Sequence, residues 1–331
     1  GDTDMPLPRY KQVNVDVTPY YHCTTRCVRQ SYLCGCDNET GRNFEHRRKW
    51  IEDRLHLLSS SFSIELCAYA VMHNHTHVVL FVNRERVKDW SVREVFNRWR
   101  NFYKCPPLVQ RYLDDIDDQA FSEAEEKILL EYAEEYRRRL CSVSWFMRLL
   151  NEYIARKANK EDDCKGYFWE RRFRSQALLN EKALIAAMAY TDLNPVRANL
   201  APTPEESDFT SVKYRINARR ARKSPLFLKP FSGCIDKRGR SALPITLDSY
   251  LSLVDETGRY VRNDKKGTIS SSLQPILDRL ELEAPAWLTI SCQLEDTFSG
   301  PIGTPIAIVD FAEQCQYGRT PNVTNATRYL M

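Results

Sequence analysis

The sequence predicts an α+β chain, and three observations carry that reading. Residues 64–72 and 75–82 are apolar runs that read as two strands joined by a His73-Asn74 turn, because Asn tolerates turn conformations. Residues 44–60 place Trp50, Ile51, Leu55 and Leu58 at helical spacing. Asn180 caps a helix over 181–193, which Asn194-Pro195 terminates.

The remaining elements follow in order. Residues 1–17 read as an N-terminal extension, of which Gly1–Asp4 before Met5 looks like an appended remnant outside the fold. Residues 20–28 read as a first strand. Ser91 caps the next helix with Glu94 three residues on, as a capping box requires; Val95, Phe96, Trp99 and Tyr103 follow, and Cys105-Pro106-Pro107 ends it. Residues 114–135 are acidic, from Asp114, Asp115, Asp117 and Asp118 to Glu131, Glu134 and Glu135. Helices over 121–140 and 142–157 are expected there, inside an insertion of about residues 106–160. A strand is expected over 166–178. In the helix over 181–193, Ala183, Ala186 and Ala187 surround Tyr190, while Leu184, Ile185 and Met188 occupy the other side. Small residues let a helix backbone approach a sheet, so Tyr190 can reach the sheet surface. From 201 to 244 the composition shifts to Pro, Ser and Arg, read as a basic linker. Residues 245–331 are expected to form a small C-terminal domain, with Thr246 capping a helix through Leu247, Tyr250, Leu251 and Val254 that Gly258 closes.

Composition narrows the function. The chain has 331 residues, 43% of them hydrophobic, enough for a sizeable core. It lacks a run of eighteen apolar residues, so a membrane span is not expected, and no signal peptide is read at the N-terminus. Eleven cysteines without a secretion signal are read as reduced thiols of a cytoplasmic protein. Cys23, Cys27, Cys34 and Cys36 cluster, but their gaps do not match the paired spacing of a zinc ribbon. Net charge is +4 and unevenly spread. Basic residues concentrate in Arg171, Arg172 and Arg174, and again in Lys213, Arg215, Arg219, Arg220, Arg222, Lys223, Lys229, Lys237, Arg238 and Arg240. They alternate with Tyr167, Phe168, Trp169, Phe173, Tyr214, Phe227 and Phe231. A charge run is commonly a solvated face, but cations interleaved with rings suit phosphates and unstacked bases.

The sharpest signal is His75-Thr76-His77. On a strand, residues two apart share a face, so both imidazoles point the same way. Such a pair is more often a half-exposed sheet face than a metal site; it gains weight from Tyr190 and Asn194, which lie four apart on one helical face. Packed over the histidines, that face supplies a third ligand and a nucleophile. A divalent cation neutralises the oxygens of a phosphodiester and leaves tyrosine to attack in line. A free phenol ionises near about 10, so Tyr190 needs a cation's field or a base. A phosphotyrosine link conserves the bond energy, which suits strand transfer. The contiguous His73-Asn74-His75 is not an HNH nuclease motif, whose residues are spread across a hairpin and a helix.

Met72-His73-Asn74-His75-Thr76-His77 and Tyr190-Thr191-Asp192-Leu193-Asn194-Pro195-Val196-Arg197-Ala198 resemble the two signature blocks of the REP-associated tyrosine transposases. These are single-tyrosine HUH endonucleases, akin to the insertion-sequence-200 type. Tyr21-His22-Cys23-Thr24-Thr25-Arg26 and Phe168-Trp169-Glu170-Arg171-Arg172-Phe173 support the resemblance, which covers about residues 18–215. It implies a ferredoxin-like HUH core, an antiparallel sheet with helices packed on one face, as a catalytic domain over about 18–200. It implies Mg²⁺ or Mn²⁺ on His75, His77 and Asn194, with Tyr190 as nucleophile. It implies single-stranded DNA bearing palindromic hairpins as partner, nicked and transferred by a monomer or homodimer near the nucleoid. Arg26, Arg171, Arg172, Arg174, Lys213, Arg215, Arg219, Arg220, Arg222 and Lys223 are the expected DNA contacts. Two departures are visible: Thr76 stands where such proteins usually carry a bulky apolar residue, and His73 where they carry Pro or Ser. The competing readings are a hairpin-binding protein of the same fold that does not cut, and a rolling-circle initiator or relaxase. Relaxases usually place the tyrosine before the histidines, and no helicase motif is present.

Overall fold

The computed structural model describes residues 8–28, 33–36, 41–114, 121–233, 241–262 and 273–331. Asp115, Asp117, Asp118, Cys234, Lys237, Arg238, Arg240 and the Gly1–Asp4 leader lie outside them.

The chain is α+β. Strands β1 (Tyr20–Arg26), β2 (Ile64–Val71), β3 (His75–Val82) and β4 (Arg174–Leu178) form one antiparallel sheet in the order β2-β3-β1-β4. The hairpin β2–β3 turns at His73-Asn74 as its sequence requires, with the Met72 N–H donating to the His75 carbonyl. The strand expected over 166–178 survives only as β4. Upstream of it, Trp169 makes an isolated bridge to Cys27, and its indole N–H donates to the Asn151 carbonyl. These irregular partners replace a continuous ladder.

Helices cover both faces of the sheet, which corrects the expectation of one. All eight residues of β2 are buried, so neither of its faces meets water. One face packs on α1 (His46–Ser61), through Ile51, Leu55 and Leu58 against Tyr21, Leu66, Tyr69 and Leu80. Beyond α1 lie α2 (Val92–Trp99), α3 (Glu123–Leu140) and α4 (Val143–Glu161). Ser91 caps α2 by accepting from the Glu94 N–H, and Ser122 and Glu125 form a full capping box on α3.

The other face packs on α5 (Glu181–Asp192), whose Asn180 cap accepts from the Ala183 N–H. Ala183, Ala186 and Ala187 are buried with Ala68 and Val79 of the sheet, so the helix sits close. A β-bulge between Leu66 and Ala68 changes which residues of β2 face it. Before the bulge Leu66 points at α1; after it Tyr69 and Val71 do, and both Cys67 and Ala68 turn toward α5. The bulge is pinned from outside. Arg215, on α7 (Ser211–Arg220), donates to the Cys67 carbonyl at 2.8 Å and to the Lys229 carbonyl at 3.1 Å, and the Lys229 N–H donates to the Leu66 carbonyl at 2.7 Å.

After α5 the chain does not stop at Asn194-Pro195. It takes one further turn, α6 (Asn194–Arg197), with Pro195 in the first turn, where its missing N–H costs nothing. Described residues of the tail, among them Leu253, Trp287, Ile290 and Phe298, share the apolar cluster of α5. They include α8 (Leu247–Val261), α9 (Ala284–Cys292) and α10 (Leu294–Thr297). Gly258 lies inside α8 rather than closing it, and a Cβ there would stand 3.2 Å from a Leu193 methyl. From Phe298 to Ile302 the tail runs beside β4: the Leu179 N–H donates to the Ile302 carbonyl and the Ile302 N–H to the Ala177 carbonyl, both at 2.8 Å. Among the described residues no cysteine forms a disulfide. No described helix is long and apolar enough to cross a membrane.

Candidate active site

The register of the sheet builds a polar patch at one end of the face under α5. Thr24 pairs with His77 and Arg26 with His75, while His22 pairs with Gln176 and Thr24 with Arg174. Cross-strand partners point the same way, so these side chains converge beside Tyr190. The same face turns apolar farther along, at Val79 and Leu178.

His75 and His77 lie together, with ring centroids 4.9 Å apart. Tyr190 stands edge-on to His77, with centroids 5.6 Å apart, and edge-on to His22 at 6.0 Å. His22 stacks on His77 at 5.2 Å, and its Nε2 lies 3.0 Å from His77 Nδ1. From the tail, Glu295 at the start of α10 reaches in. Its Oε1 accepts from the Thr24 hydroxyl at 2.7 Å and its Oε2 lies 3.4 Å from the Tyr190 hydroxyl. The Arg197 guanidinium lies 3.8 Å over the Tyr190 ring and also donates to the Cys292 carbonyl of α9. Asn194 is buried at the first residue of α6.

The electrostatics follow from burial. Desolvation pushes His75 down to about 4, with Arg26 adding to the effect. Burial likewise lowers His22 and lowers His77 strongly, so these imidazoles are neutral and can offer lone pairs. Burial alone would raise the Glu295 carboxyl, yet the Thr24 hydrogen bond and the Arg174 guanidinium hold it below its ordinary value. Tyr190 is held above its ordinary value, mainly by burial; Arg197 pulls it down and Glu295 pushes it up.

Ring nitrogens of His22 and His77 and a carboxylate oxygen of Glu295 lie within 4.8 Å of one another, close enough to share a cation. The donor set suits one: neutral imidazoles and an ionised carboxylate. His77 Nε2 is buried without a hydrogen-bond partner, an arrangement that a bound cation would satisfy.

The expected DNA contacts separate by exposure. Arg26, Arg171, Arg172, Arg219, Arg220, Arg222 and Lys223 are exposed, although Arg219 pairs with Asp248 at 2.5 Å. Arg174 is half-buried and donates to the Phe298 carbonyl at 2.9 Å, and Lys213 pairs with Asp208. Arg215 is fully buried on the β2 bulge, so it is a structural cation and not a surface for phosphate, which corrects that expectation. Arg171 and Arg172 line a groove of about 1020 Å³ together with Trp169, Phe173 and Tyr167.

Sequence reasoning missed His22, Gln176 and Glu295. The first two carry a faint signal: His22 shares a strand face with Thr24 and Arg26. Glu295 carries none, since its place depends on how the tail folds back.

No protein-family model matches the chain, and no curated protein matches it. Among solved structures, a REP-associated tyrosine transposase bound to a REP hairpin matches 73% of this chain and 100% of that one. Its identity is 11% and its TM-score 0.33. A superposition that loose fixes neither the fold nor the function of this chain.

Proposed function

We propose that this protein is a metal-dependent endonuclease and strand transferase acting on single-stranded DNA with palindromic hairpins, with Tyr190 as nucleophile. One observation carries the reading: Tyr190 stands edge-on to the buried, neutral His77, whose Nε2 has no partner. His75 and His77 would hold a divalent ion, Mg²⁺ or Mn²⁺, with the Asn194 amide as third ligand and Glu295 as a further oxygen from the tail. Such an ion would supply charge neutralisation at the scissile phosphate. Tyr190 attacks phosphorus through its oxygen, the 3′- or 5′-oxygen of the broken strand leaves, and a phosphotyrosine bond replaces the phosphodiester. The phenol is held above its ordinary value by burial, so it needs a proton acceptor. Glu295, ionised and 3.4 Å away, is placed to be one. The cationic and aromatic groove at Arg171, Arg172 and Trp169 suits unpaired bases and their phosphates.

Tyr190→Phe is expected to abolish the covalent protein–DNA adduct and leave hairpin binding within a few-fold of the parent chain. An adduct that persists on denaturing gels would mean that the nucleophile is another residue. His77→Ala is expected to lose cleavage that added Mn²⁺ does not restore.

A further inference from the structure

We propose that Gln176 and His22 are positioning residues that fix the tautomer of His77, through a one-way hydrogen-bond chain anchored on backbone carbonyls of the tail. The chain can be read in one direction only. The Gln176 amide nitrogen lies 2.7 Å from the Phe298 carbonyl and 3.1 Å from the Gly300 carbonyl. Carbonyls only accept, so the NH₂ end of the amide must face them and Oε1 must face the sheet. Oε1 lies 3.2 Å from His22 Nδ1. An amide oxygen cannot donate, so His22 carries its proton on Nδ1 and its Nε2 is bare. That bare Nε2 lies 3.0 Å from His77 Nδ1, which must then be the donor.

A second, independent contact agrees. The Thr24 hydroxyl gives its one proton to the Glu295 carboxylate at 2.7 Å. Toward His77 Nδ1, 3.4 Å away, it can only accept. Two acceptors therefore face Nδ1, and the remaining nitrogen, Nε2, is left with a lone pair. Nε2 is the buried atom without a partner. His75 follows the same pattern, its Nδ1 lying 2.7 Å from Asn74 Oδ1. The 3.0 Å contact between the two rings needs one bare nitrogen, so His22 and His77 cannot both carry a second proton. The result is a pair of imidazoles on one strand, each presenting Nε2 as a ligand, with His22 behind the ligand rather than on the ion. Hydrogen-bonded supports of this kind fix ring orientation and raise ligand basicity. The anchor comes from residues 298 and 300, so the tail decides which nitrogen of a β3 histidine is bare.

This inference rests on the reading of His75 and His77 as cation ligands, and its test separates the two. The full-length protein labelled with ¹⁵N-histidine is examined without metal at neutral pH by long-range proton–nitrogen correlation, with single His→Gln variants for assignment. The expected result is a protonated Nδ1 and bare Nε2 at both His22 and His77. On titration with Zn²⁺, the Nε2 signals of His75 and His77 are expected to move and the Nδ1–H of His22 to persist. A proton on His77 Nε2, or a His22 nitrogen that binds Zn²⁺, would overturn the relay; the second result would assign the ion to His22, His77 and Glu295. Gln176→Leu should give mixed tautomers and weaken Mn²⁺ binding by about 10–100-fold, read from the free-ion signal. Unchanged tautomer and affinity in that folded variant would overturn the proposal, and the parent-chain spectrum decides it if the variant does not fold. A parent chain that forms no covalent adduct with hairpin DNA would remove the nuclease reading without altering the tautomer.

Discussion

Buried titratable groups in and beside the site pull stability in opposite directions over one pH window. His75 is pushed down to about 4 by burial, with His22 and His77 lowered in the same sense. In the unfolded chain a histidine takes its proton near about 6.5. Between these values the unfolded state binds more protons, so the histidines withdraw stability as pH falls from about 6.5 toward 4. Asp192, fully buried, has the reverse sign. Desolvation pushes it up to about 6, although Ser211, Tyr250 and the Val212 N–H all stabilise its ionised form. Its unfolded value is near about 3.9, so the folded state binds the extra proton, and Asp192 adds stability as pH falls through the same window. Asp192→Asn is therefore expected to steepen the loss of stability on acidification, and His75→Asn to flatten it. Urea unfolding at intervals from pH 7 to pH 4 measures both slopes. Two variants with slopes equal to the parent would mean that neither group is buried as described.

At the scale of elements, the tail crosses close beside the end of β4. A Cβ on Gly303 would stand 2.7 Å from the Leu179 Cβ, a distance that backbone must move to relieve. Gly303→Ala is expected to cost about 1–3 kcal/mol, read as a lowered melting temperature. Gly318→Ala, where no atom lies within 4 Å, is the matched control and is expected to be near neutral. If both variants melt alike, the tail does not lie where it is described. The same contact shows where sequence reasoning ends. The hairpin was legible because two apolar runs and the His73-Asn74 turn between them are local, and Asn180 was legible because a cap bonds three residues away. The bulge at Cys67 was not, because it depends on Arg215, 148 residues later, holding a carbonyl. For the same reason Arg215 read as a phosphate contact: charge is visible in a sequence and burial is not. Glu295 sits 271 residues from Thr24, its hydroxyl donor, and no periodicity connects them.

For the molecule as a whole, the segment after residue 245 and the helix carrying Tyr190 have one apolar interior. Leu253, Trp287, Ile290 and Phe298 are fully buried in the cluster that also contains Ala186, Met188 and Leu193. Deleting 245–331 would strip that cover, and burial at about 25 cal/mol per Å² makes the loss large. The shortened chain is expected to lose near-ultraviolet circular dichroism and bind a hydrophobic dye, and a cooperative melt close to that of the full chain would contradict a shared interior. The long loop closure has a consequence during synthesis. The hairpin with His75 and His77 leaves the ribosome long before Glu295, Phe298 and Gly300 exist, and at about 5–20 residues per second the gap lasts tens of seconds. A nascent polypeptide therefore carries its strand histidines with no carboxylate and no tail carbonyls behind them, so the polar cluster around His77 closes only once residues 295–300 have been made and have folded back.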